Sequence, residues 1–204
     1  MERGPGHSSL ITRRSLLQVA GATLAAGIAL ELPASARVVH HLYVRRTGPA
    51  FIAGNEFRCA LGRGGVSASK REGDGATPIG NWPLRQVLYR PDRGMRPVTS
   101  LQTAPMKPTD GWCDAPTDPN YNRMVRHPYP ASAEHLWRRD TIYDLIVVVG
   151  YNDAPVVPGN GSAIFLHIAR PDYSPTAGCV AFSRRDLVTI LGLLSPASRL
   201  VVSA

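Results

Sequence analysis

The chain is poor in aromatic side chains, in cysteine and in acidic groups, and each shortage narrows what it can be. Phe, Trp and Tyr make up only 7% of the 204 residues, while 19 glycines and 18 prolines punctuate the chain. That balance disfavours a helical bundle and favours short strands joined by turns. No apolar run reaches the roughly 20 residues a membrane-spanning helix needs; the best, Leu16 to Leu30, is interrupted by Gln18 and by glycines. No internal repeat is found. The 15 acidic residues are outnumbered by 23 basic ones, for a net charge of +8. The Arg and Lys residues are scattered rather than gathered with stacking aromatics, which argues against nucleic acid as a partner. The glycine-rich stretch Gly62 to Gly80 lacks the Lys-Ser/Thr pair at the start of a helix that a phosphate cradle requires, so nucleotide binding is discounted.

The N-terminal segment reads as an address. Thr12-Arg13-Arg14-Ser15-Leu16-Leu17 places two arginines ahead of the apolar run, and Ala34-Ser35-Ala36 offers a small-x-small cleavage pattern. Residues 1–36 are therefore expected to be a twin-arginine-type signal peptide, with residues 37–204 forming one exported domain. The expected compartment is the periplasm, with no stable membrane span once the signal is removed. Cleavage would take the net charge from +8 to +7, leaving a cationic domain drawn to anionic polymers such as wall glycopeptides. Outside the cytoplasm the odd cysteine count leaves one free thiol if the other two pair. Cys59 and Cys113 are the candidate pair; the alternative is that Cys59 is a small buried apolar residue.

Along the rest of the chain, Val38–Val44, Phe57–Leu61, Trp82–Tyr89, Ile142–Val149, Ala163–Ile168 and Leu200–Val202 read as strands. Ile142–Val149 is the clearest buried one, a β-branched run ended by Gly150. Pro91 to Pro119 reads as a long loop that could wall a groove, with Trp112-Cys113-Asp114 in it and Tyr121-Asn122-Arg123 just beyond. Ser132 to Trp137 reads as a helical turn. Ser183 with Asp186 has capping-box spacing, and Leu187, Ile190, Leu191 and Leu194 follow at helical intervals, giving one amphipathic helix ended by Ser195-Pro196. The expected fold is mainly β, a sandwich of mixed sheets with one or two packed helices.

Chemistry concentrates in Gly161-Ser162-Ala163-Ile164-Phe165-Leu166-His167-Ile168 and Thr176-Ala177-Gly178-Cys179-Val180. A short apolar strand ends in a histidine, and the loop that follows returns a cysteine behind a glycine. A thiol with its ordinary pKa of about 8.5 needs a base or a positive neighbour to act as a nucleophile, and His167 can be that base for Cys179. Backbone N–H groups around Gly178 and Cys179 could face a developing oxyanion. Spacing alone leaves two other readings open, a pair of core residues and a metal site that would need Cys113 or His127.

These two motifs resemble the signature of the L,D-transpeptidase (YkuD-type) catalytic domain. In that signature a strand-end histidine precedes Ser/Thr-x-Gly-Cys-hydrophobic. The upstream Lys70-Arg71-Glu72-Gly73-Asp74-Gly75-Ala76-Thr77-Pro78-Ile79-Gly80 is similar to the family's turn before the sheet. The resemblance spans about Val39 to Val202. It implies that Cys179 attacks the third residue of a peptidoglycan stem tetrapeptide and releases the terminal D-Ala. The amine of a second stem then resolves the thioester into a 3→3 cross-link. His167 would be the base and Gly178 an oxyanion contributor, with no metal or organic cofactor. Arg170, Thr176, Tyr151, Asn152, Arg123 and Arg184 are the candidate substrate contacts. Ala177 stands where the family often has a second histidine, Ala181 where it often has Arg or Asn, and the His-to-Cys spacing is short, as in a divergent branch. The alternatives are hydrolysis at the same site, as an L,D-carboxypeptidase or amidase, and a decayed wall-binding module.

Overall fold

The architecture was determined from a computed structural model, which describes Met1 and residues 38–204. The expected signal peptide therefore lies outside the described residues. The fold is mainly β, with a single helix among the described residues.

A five-strand run opens the domain: β1 (Leu42–Arg45), β2 (Ala50–Ile52), β3 (Asn55–Phe57), β4 (Cys59–Ala60) and β5 (Val66–Ser67). After β6 (Thr77–Pro78) comes β7 (Gly80–Tyr89), ten residues long and the spine of the molecule. Its first half, from Gly80 to Pro83, pairs with β15 (Arg199–Ser203); its second half pairs with β12 (Leu145–Val149). The same second half also pairs with β8 (Gln102–Pro105), which must take the edge that β12 leaves open. One long strand thus serves two sheets. On one side the order runs β3-β2-β1-β15-β7, and on the other β7-β12, then β13 (Phe165–Ile168), β14 (Val180–Phe182) and β4. The register of β12 on β7 shifts between Val147 and Val149, a bulge that helps the spine change partners.

Strand periodicity divides β12 and β13 between two cores. Leu145, Val147, Val149, Leu166 and Ile168 face the main core with the helix α1 (Arg184–Leu193). Ile146, Val148 and Phe165 face a second cluster with Leu88, Met106, Trp112, Leu136, Tyr143 and Cys179. A sheet buried on both faces is why this stretch reads as a continuous β-branched run rather than an alternating one. The helix begins as its sequence predicts: the Ser183 hydroxyl accepts the Asp186 N–H at 3.0 Å. Leu187, Ile190 and Leu191 are fully buried, worth about 1.5–3 kcal/mol each in transfer free energy.

Two local expectations are corrected. Within the stretch read as loop, Gln102–Pro105 is β8 and Asp110–Cys113 is β9. Residues Ala133–His135, within the stretch read as a helical turn, form β11. With β10 (Met124–Arg126) these make a separate three-stranded sheet, β10-β9-β11. Trp112 and Leu136 anchor it on the second core, and that burial outweighs the weak helical pattern of Ser132–Trp137. Cys59, Cys113 and Cys179 are all free thiols, so the candidate Cys59–Cys113 disulfide is absent, and Cys59 is half-buried against the main core.

Candidate active site

The site lies where β13 and β14 run side by side in parallel. His167 pairs with Ala181 and Leu166 with Val180. On β13, Phe165 and His167 are two residues apart and so project to the same face, about 6.6 Å apart along the strand. Cys179, the residue before β14, places its sulfur at the Phe165 end of that face. Its Sγ accepts the Phe165 N–H at 3.3 Å and donates to the Ala163 carbonyl at 3.2 Å.

The turn that delivers Cys179 is shaped by Thr176. Its hydroxyl donates to the Cys179 carbonyl at 2.7 Å and accepts the Gly178 N–H at 3.1 Å. The Thr176 N–H and carbonyl are tied to Leu61 and Arg63, which holds the turn to the glycine-rich segment. Gly178 adopts φ +136°, and a Cβ there would come 2.9 Å from the Ala76 carbonyl, so only glycine fits without strain. The Gly178 N–H, expected to face an oxyanion, is thus already bound within the turn.

His167 is buried, and its Nδ1 lies 2.9 Å from the carbonyl of Ile168. A carbonyl oxygen only accepts, so Nδ1 carries the hydrogen and Nε2 is left as the basic nitrogen. The Tyr143 ring packs edge-on against the imidazole at 5.2 Å, and its hydroxyl donates to Glu134 Oε1 at 2.8 Å. Burial pushes the Cys179 thiol up to about 12, with the Glu134 carboxylate adding to the effect. Burial draws His167 down to about 4. At neutral pH both groups are uncharged, and no hydrogen bond joins them.

Cys179 and His167 line one cavity of about 510 Å³. Arg170, Thr176, Ala177 and Ala181 line it too, together with Lys70, Glu134, Arg138, Tyr143, Ser162 and Ala163. Ala181, opposite His167, keeps that wall small and apolar where a larger polar side chain would stand beside the imidazole. The Lys70 ammonium is buried under the cavity, 2.6 Å from Asp74 Oδ1 and 3.0 Å from the Arg71 carbonyl. Among the described residues, no three His, Cys, Asp or Glu side chains converge to hold a metal ion.

Four expected substrate contacts lie elsewhere. Tyr151 and Asn152 border a separate, shallower cavity with Trp82, because the Asn152 side chain is folded onto its own loop, bonding to Val157 and Gly161. Arg184 is drawn to the buried carboxylate of Asp144 at the start of the helix. Arg123 is exposed and is not among the lining residues. Its neighbour Asn122 matters more. The buried Asn122 amide donates to the carbonyls of Tyr151 and Asn152 at 2.9 and 2.8 Å, and accepts Trp112 Nε1–H at 3.0 Å and Ala163 N–H at 3.1 Å. It thereby fixes the residue whose carbonyl holds the thiol.

The family model for the L,D-transpeptidase catalytic domain (YkuD) matches residues 40–202. The chain belongs to that family. The match takes in the three-stranded sheet, the helix, every residue lining the cavity and the large sheet to within one residue of the end of β15. No curated protein and no solved structure matches the chain.

Proposed function

We propose that this L,D-transpeptidase family member is a cysteine acyl-transferase of the periplasm, exported by the signal in residues 1–36 and acting on peptidoglycan stem peptides. The observation that carries this reading is that Cys179 and His167 share one face of the β13/β14 pair and line the same cavity. Cys179 is the nucleophile and His167 Nε2 the base.

With both groups uncharged at rest, the proton leaves Sγ as sulfur attacks the stem carbonyl, rather than standing on the imidazole beforehand. The thiol gives up its bond to the Ala163 carbonyl, and His167 receives the proton while Nδ1 stays anchored to Ile168. Collapse of the tetrahedral intermediate expels D-Ala, which takes the proton back from His167. The amine of a second stem then attacks the thioester, and the Cys179 thiol is restored. Exposed Arg170 and Arg63 at the cavity border supply positive charge for the carboxylates that stem peptides carry.

Incubation of residues 37–204 with tetrapeptide muropeptides, followed by mass spectrometry, tests the reading. Loss of D-Ala with dimer formation is the expected result. Loss of D-Ala with addition of water alone would make the protein a carboxypeptidase. Binding to sacculi with neither product would make it a wall-binding module.

A further inference from the structure

Three acidic groups line the cavity without a part in the acylation step, Glu72, Asp114 and Glu134; Glu72 is tied to the Tyr121 hydroxyl. Glu134 projects from β11 into the space that Cys179 and His167 also border. Its Oε1 is held by the Tyr143 hydroxyl, and its Oε2 accepts no hydrogen bond from the described residues. Asp114, which follows β9 and lines the same cavity, has a buried Oδ1 with no partner. A third unpartnered polar atom lies on the cavity wall: the hydroxyl of Ser162, a residue only 7% exposed and adjacent to Ala163. Buried polar atoms of native proteins are nearly always satisfied. Asp114 Oδ1 and the Ser162 hydroxyl are such atoms, and with the half-buried Glu134 on the same cavity wall they point to a ligand that brings hydrogen-bond donors. Arg138, a cation lining the same cavity, is engaged by Asp140 through two bonds of 2.9 and 2.7 Å. Arg138 acts on Glu134 through space, but among the described residues no cation is hydrogen-bonded to the Glu134 carboxylate.

Resting on the acyl-transferase reading, we infer that Glu134, seconded by Asp114, binds the second substrate as a primary ammonium and takes its proton, selecting amines over water as acyl acceptors. An ammonium offers three donors, which suit Glu134 Oε2, Asp114 Oδ1 and the Ser162 oxygen. The protons balance. The ammonium passes one proton to the Glu134 carboxylate and becomes a free amine. Its nitrogen bonds to the thioester carbon as the carbon–sulfur bond breaks. The second nitrogen-bound proton passes through His167 to the departing sulfur, restoring the thiol, and Glu134 later releases its proton to water. Burial holds the Glu134 carboxyl above its ordinary range, which suits a group that must accept a proton.

The test is the fate of a preformed Cys179 thioester in a fixed concentration of a stem-peptide amine, read as the ratio of amide to hydrolysed product. That ratio is independent of how fast the thioester formed. Glu134→Gln keeps the shape and an oxygen for the Tyr143 hydroxyl while removing the charge, and the ratio is expected to fall about tenfold or more. Asp114→Asn should lower it by a smaller factor. Saturation of the amine should also weaken in Glu134→Gln, a change that a merely structural role would not give. A ratio unchanged in both variants overturns the inference. Failure of the unaltered protein to form any thioester overturns the parent reading, and this one with it.

Discussion

Cys179 gives its thiol hydrogen to the carbonyl of Ala163 at 3.2 Å and makes no hydrogen bond to His167. The nucleophile therefore rests as a neutral thiol, latched to the segment before β13. Cys179 is pushed up to about 12 and His167 drawn down to about 4, so a preformed thiolate–imidazolium pair is not the resting state. The difference in 240 nm absorbance between the protein and Cys179→Ala should show no thiolate step below about pH 10. A step near neutrality that disappears in His167→Asn would show the ion pair instead.

The buried imidazole also leaves a mark on stability. His167 has an ordinary value of 6.5 and a folded value of about 4, so between these the unfolded chain binds more protons than the folded one. Stability contributed by the neutral ring is present above about pH 6.5, is lost as pH falls, and levels off below about pH 4. The shift corresponds to roughly 3 kcal/mol at full effect. Urea unfolding at a series of pH values should show this acid-side loss in the unaltered protein and not in His167→Asn. Parallel curves would mean that His167 is not held neutral by burial.

Asn122 is the clamp between the small sheet and the active-site turn. Replacing it with Ala orphans the Trp112 and Ala163 N–H groups and the Tyr151 and Asn152 carbonyls, and leaves Ala at φ +57°. Denaturant unfolding should show a loss on the order of 3 kcal/mol. Alkylation of Cys179 should also become faster, as the Ala163 carbonyl is no longer fixed. Unchanged stability would remove Asn122 from the account.

Much of this was legible in the chain because the physics is local. The helix follows from Ser183 and the spacing of Leu187, Ile190 and Leu191. The buried strand follows from Leu145–Val149, and the His167 and Cys179 motifs mark one site. What was not legible depends on pairings distant in sequence. Asp110–Cys113 becomes a strand only because Met124–Arg126 and Ala133–His135 flank it, so Glu134 and Asp114 gave no sign that they would face Cys179. Tyr143 carries only a strand signal in the sequence, and its meeting with both His167 and Glu134 depends on how β11 is packed. Tyr151, Asn152 and Arg184 carried suitable polar groups in suitable loops. Each instead found a partner outside the cavity, in Asn160, Val157 and Asp144 respectively. Lys70 belongs to the Lys70–Gly80 motif, but its burial beneath the cavity comes from the fold of the Gly62–Gly80 turn around Asp74.

The central claim is that Cys179 carries the acyl group. Intact-protein mass spectrometry after brief incubation with a stem tetrapeptide tests it most directly. The expected result is a mass increase equal to the tetrapeptide less D-Ala, localised to Cys179 by peptide mapping and absent in Cys179→Ala. Release of D-Ala at an undiminished rate by Cys179→Ala, or an adduct on Cys59 or Cys113 alone, would contradict it.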